Sequence, residues 1–116
     1  MHGIPNLTDD QKKKIKELRV PLSKEVLPLT NQLAEKKAHL KTLQTAEKAD
    51  LSAINSTIDD IGQLQSQIMK KHAAHTQAVR KLLTDEQRIA FDMHKNSGHD
   101  HSKQHSRYRK YHGTGG

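Results

Sequence analysis

The chain has 116 residues, room for one domain and not for two full cores. Hydrophobic residues make up 32%, with one Phe, two Tyr and no Trp, which excludes a thick sheet-based core and favours long helices sharing narrow apolar seams. Twenty Lys+Arg against thirteen Asp+Glu leave +7 with neutral His, which favours anionic partners, and the absence of Cys excludes disulfides, thiolate catalysis and Cys-ligated metal.

Residues 1–6, with His2, Gly3 and Pro5, read as a disordered lead-in. Thr8 followed by Asp9, Asp10 and Gln11 opens a helix: Thr8 caps, the two acids meet the helix dipole, and Gln11 closes a capping box. Ile15, Leu18, Leu22, Val26, Leu29, Leu33, Leu40 and Leu43 then recur at spacings of three, four and seven, one stripe on one helical face. Pro21 and Pro28 lie inside this pattern, and each deletes a backbone donor, so a kink or short break is expected near Val20 and Pro21.

Thr45 to Asp50 is where the chain turns back, with Asp50 or Ser52 capping the second helix. Leu51, Ile54, Ile58, Ile61, Gln65, Ile68, His72, His75, Val79 and Leu82 form a coiled-coil seam with polar interruptions. A third, short helix starts at Thr84 with Asp85, Glu86 and Gln87 and ends near Asn96 and Gly98. The expected fold is therefore all-α, a long kinked helical hairpin with short flanking helices, and so thin a protomer is expected to dimerise. Domain bounds follow: 1–6 lead-in, 7–95 helical domain, 96–116 flexible His-rich basic tail. From residue 94 onward there are five His, five Lys+Arg and one Asp, with no Leu, Ile, Val or Met to build a core.

Leu7-Thr8-Asp9-Asp10-Gln11 and Leu83-Thr84-Asp85-Glu86-Gln87 are one pattern used twice, at either end of the hairpin. In this pairing the sequence resembles the small periplasmic stress proteins of the Spy, CpxP and ZraP type, whose signature is a paired Leu-Thr-x-x-Gln motif and whose relatives include heavy-metal sensors. The resemblance covers about residues 7 to 95. It implies a dimerising all-α hairpin, a periplasmic location, no enzymatic activity, and metal handling or ATP-independent chaperoning. Carried over onto this chain, Leu7, Thr8, Gln11, Leu83, Thr84 and Gln87 are structural motif residues. The expected role of the Thr and Gln pairs is mutual fixing of two helix starts, with Leu7 and Leu83 turned into the core.

The chemistry lies with histidine. His94, His99, His101, His105 and His112 crowd the last stretch at spacings unlike an uninterrupted tag, and imidazole nitrogen suits zinc first, with copper or nickel as alternatives. His72 and His75 lie one turn apart and make a geometrically feasible half-site. No carboxylate lies within one turn of them along the chain, and polar seam residues that set register are the better reading. His39 lies off the stripe and faces solvent. Family sensors take His and Met ligands from a helix, and a His-x-x-x-His spacing is absent here, a departure from them.

No catalytic or small-molecule cofactor site is read: there is no Gly-rich phosphate loop, nucleophile elbow or His-Glu-x-x-His. Lys12, Lys13, Lys14, Lys16 and their neighbours form a basic helical surface that, around apolar seams, suits capture of unfolded client proteins. A second class is a basic nucleic-acid-binding helical protein, suggested by Arg107-Tyr108-Arg109-Lys110-Tyr111, where cations alternate with stacking rings. The paired motif argues against it. No apolar run reaches the ~18 residues of a membrane span, and no charged-then-apolar leader is present, so a periplasmic chain is expected to have lost its export signal already.

Overall fold

The computed structural model describes residues 3–98, with side chains through His94. The described residues are all-helical: α1 spans Asp9–Gln44, α2 Leu51–Arg80 and α3 Asp85–Gly98. They divide into two compact units, the hairpin of Lys12–Leu82 and a terminal unit of Met1–Gln11 with Leu83–Gly116.

In the hairpin, every member of the α1 stripe from Ile15 to Leu43 is buried or half-buried, so the spacing located its packing face correctly. Of the kink or short break expected near Pro21, the break does not occur: α1 runs as helix without interruption through Pro21 and Pro28. The missing donors orphan the carbonyls of Glu17 and Lys24, four residues earlier. Both residues are exposed, so water can take the lost bonds, while half-buried Leu18, Leu22, Val26 and Leu29 hold the helix to its partner on either side.

The loop closes as its sequence asks. Asp50 is extended (φ −104°, ψ 103°) and its carboxylate accepts from the backbone N–H groups of Ser52 (3.0 Å) and Ala53 (3.2 Å), capping α2. Two ion pairs then set the register across the hairpin, Lys36–Asp60 at 2.9 Å and Glu25–Lys71 at 3.1 Å. Stepping back from residue 36 to 25 on one helix matches stepping forward from 60 to 71 on the other, so both pairs belong to one antiparallel register about three turns apart.

The α2 face differs from the seam read in the sequence. Ile54, Ile61, Ile68, His75, Val79 and Leu82 do turn inward, Val79 completely, but along most of the helix the flanking row is Thr57, Leu64, Lys71 and Ala78, while Leu51, Ile58, Gln65 and His72 are exposed. Both rows make a three-four repeat with the shared one, so the pattern alone fits either. The chosen row carries polar residues that satisfy themselves: Thr57 Oγ1 donates back to Ala53 O at 2.9 Å, which lets it be buried, and Lys71 reaches Glu25. Apolar burial in the hairpin stays thin, with only Ile15, Leu64 and Val79 fully inside. Val20, Leu27, Leu51, Ile58 and Met69 remain exposed.

Candidate functional site

The terminal unit is built around the two Leu-Thr-x-x-Gln sequences. Each folds first as a local capping box. At the start of α1, Gln11 N donates to Thr8 Oγ1 (3.0 Å) and Thr8 N donates to Gln11 Oε1 (2.9 Å). At the start of α3 the same two bonds form, Gln87 N to Thr84 Oγ1 (3.2 Å) and Thr84 N to Gln87 Oε1 (3.0 Å). Each box satisfies two backbone donors that a helix start leaves without partners.

The second layer is tertiary. The two glutamine amides face each other, Gln11 Nε2 donating to Gln87 Oε1 at 2.8 Å and Gln87 Nε2 donating to Gln11 Oε1 at 3.2 Å. Gln87 Nε2 also donates to the carbonyls of Pro5 (3.0 Å) and Asn6 (3.1 Å). The Gln87 oxygen thus has two donors, and its two N–H groups share three acceptors, which is why a polar side chain can sit there at 4% exposure.

These bonds also reach the lead-in. Residues 3–6, read from composition as part of a disordered segment, are not detached from the helices: Ile4 is 9% exposed and the Pro5 and Asn6 carbonyls are taken by Gln87. Asn6 makes the turn into α1 at φ 57°, a left-handed conformation that Asn tolerates. Of the two motif leucines, Leu83 is buried at 7% and Leu7 is half-buried. Phe91, the one Phe of the chain, is buried at 6% in the same unit. The six motif residues therefore form an interlocked structural element, and Thr8, Thr84, Gln11 and Gln87 spend their polar atoms on backbone and on each other.

The histidines are distributed differently. His94 is exposed near the end of α3, and His99, His101, His105 and His112 lie outside the described residues. His72 is exposed on α2, His75 is half-buried in the hairpin, and His39 is exposed as expected. Glu25, which no spacing along α2 signals, lines one groove with His75, Leu18, Leu22 and Lys71, brought there by the antiparallel register. Lys71 already holds Glu25. Among the described residues no three or more His, Asp or Glu are grouped to hold a metal ion, so His72 and His75 gain no complete site from the hairpin. The chemistry of the donor set still fits a transition metal, with imidazoles and without a carboxylate cage.

Among the described residues no helix is long and apolar enough to cross a membrane. Residues 1–90 match the family described as heavy-metal resistance. The match takes in both Leu-Thr-x-x-Gln sequences and stops before the His-rich end. No curated protein and no solved structure matches the chain.

Proposed function

Because the chain belongs to the heavy-metal resistance family, we propose that it is a periplasmic stress-response protein, not an enzyme, that binds a transition metal through His94, His99, His101, His105 and His112. Zinc is the first choice, with copper or nickel next. The observation that carries this reading is the density of imidazole donors in sequence directly after a helical domain matched to that family. The helical units supply the scaffold and the tail supplies the donors. His72 with His75 is the alternative site.

The same reading assigns the hairpin to protein partners. Its stripe is mostly half-buried, and Leu27, Leu51, Ile58 and Met69 are exposed at 61%, 67%, 45% and 69%, which is apolar area that a second copy or an unfolded client would cover. Lys12, Lys13, Lys14 and Lys16 are all exposed near the start of α1 and attract acidic chains over a distance that salt shortens. Homodimerisation and ATP-independent holding of clients follow as one proposal.

Calorimetric titration with zinc tests the metal reading on the full chain and on a chain stopped after Gly98. The shortened chain keeps His94 and loses four donors. High-affinity binding should vanish while the helical circular dichroism remains. Unchanged affinity and stoichiometry would move the site to His72 and His75. Sedimentation showing a monomer at micromolar concentration would remove the dimer.

A further inference from the structure

We propose that the outer side of α2 pairs with the same side of α2 in a second copy of the chain, antiparallel about a two-fold axis between Gly62 and Gln65. The row left exposed there, Leu51, Ile58, Gln65 and His72, repeats every seventh residue. Asn55, Gly62 and Met69 alternate with it and are exposed too, so α2 carries a second three-four seam beside the one packed on α1. This seam has a hollow as well as knobs. Gly62, Ser66, Met69 and Ala73 border a recess of about 450 Å³ whose lining residues all belong to α2, so it lies on the outside of one helix and not between two. A Cβ built at Gly62 meets nothing within 4 Å, which leaves room for another backbone.

In antiparallel pairing the alternate seam positions face each other. With Gly62 opposite Gln65 of the second copy, Ile58 falls opposite Met69 and enters the recess. Asn55 falls opposite His72, a polar pair within the seam of the kind that fixes register. Every contact occurs twice, as a two-fold interface requires. Charge selects both the occupant and its direction. The first half of α2 carries Asp59 and Asp60 and no Lys or Arg, while the second half carries Lys70, Lys71 and Arg80 and no acid. Antiparallel pairing lays the acidic half on the basic half, and exposed Asp59 comes level with exposed Lys70 of the second copy on one flank of the seam. Parallel pairing would set like charge against like. The proposal deepens the dimer reading and rests on it. It covers Leu51, Ile58 and Met69 with the second copy and leaves Val20 and Leu27 of α1 for clients. It also holds the two His72 rings about 25 Å apart along the helices, too far for one ion to join them.

Sedimentation equilibrium of the full chain at micromolar concentration tests this with Gly62→Lys, Lys70→Glu, and Lys70→Glu combined with Asp59→Lys. Gly62→Lys puts a side chain into open space on the single chain and replaces a poor helix former. Helical circular dichroism should therefore hold while the dimer dissociation constant rises about tenfold or more, because the ammonium lands in the seam. Lys70→Glu sets acid against acid twice and should raise that constant about tenfold, and adding Asp59→Lys should restore it. The chain has no Cys, so Asn55→Cys and His72→Cys chains with a short bismaleimide report orientation. Cross-links should form when the two variants are mixed and in neither variant alone. A parent dimer that Gly62→Lys and Lys70→Glu leave intact would place the interface on another face, so that this inference fails and the dimer reading stands. A monomeric parent overturns both. Cross-linking of either variant with itself would refute the antiparallel direction.

Discussion

Replacing Gln87 by Glu separates the two layers of the motif. A carboxylate at that position still accepts from Thr84 N, since Glu serves in a capping box as well as Gln does. It cannot donate, and the Pro5 O, Asn6 O and Gln11 Oε1 that now accept from Gln87 Nε2 would face a negative charge at a position 4% exposed. Two donated hydrogens lost cost about 1 kcal/mol each, and the buried charge among acceptors adds about 1–3 kcal/mol, for a total of roughly 3–5 kcal/mol. Gln11→Glu is the matched control: it keeps acceptance from Thr8 N and Gln87 Nε2, loses the donation to Gln87 Oε1, and lies at a half-buried position, so about 1–2 kcal/mol is expected. Urea denaturation followed by helical circular dichroism measures both. Since native stabilities are about 5–15 kcal/mol, Gln87→Glu at neutral pH will be close to unfolding.

Acid provides the internal check on that variant. Burial among oxygens raises the folded-state pKa of the new carboxyl above the ~4.3 of an unfolded Glu. The folded form then binds the extra proton first, so the deficit is complete above the raised pKa and shrinks as pH falls toward the unfolded value. Recovery of stability on acidification is specific to Gln87→Glu, measured against Gln87→Ala. Equal losses from Gln87→Glu and Gln11→Glu, or a Gln87→Glu deficit that does not shrink in acid, would refute the asymmetric role of the two glutamines.

Thr84→Ala removes one cap and should cost about 0.5–2 kcal/mol while leaving zinc affinity unchanged; an affinity loss without a stability loss would count against a structural role. Pro21→Ala restores a donor to the Glu17 carbonyl at an exposed site and should raise stability by about 1–3 kcal/mol, read as a higher melting temperature. A double-mutant cycle on Lys36 and Asp60, whose side chains are 42% and 43% exposed, should give a coupling below about 1 kcal/mol that fades in high salt. Zinc affinity of the full chain should fall as pH drops through ~6.5, the ordinary imidazole pKa, because only neutral imidazole offers its lone pair; a pH-independent affinity would point to donors other than His.

What the sequence determined by itself are the features whose partners lie within one turn. The Thr8–Gln11 and Thr84–Gln87 boxes span three residues each, the Asp50 cap reaches two and three residues ahead, and the α1 stripe is a matter of helical period alone. Helix starts, the turn and the all-α class were legible for that reason. The tertiary structure decided whatever joins residues far apart in the chain. Gln11 meets Gln87 across 76 residues and Gln87 meets Pro5 across 82, so no spacing rule could reveal that the caps interlock or that the lead-in is pinned beneath them. The α2 face was undetermined because two rows shared one repeat, and the choice of Thr57, Leu64, Lys71 and Ala78 over Leu51, Ile58, Gln65 and His72, with Val79 of the expected row still buried, depended on what α1 set opposite. Uninterrupted helix through Pro21 has the same origin. The local cost of a missing donor was visible in the residue, whereas the half-buried leucines on either side that outweigh it act only once the second helix is packed against them.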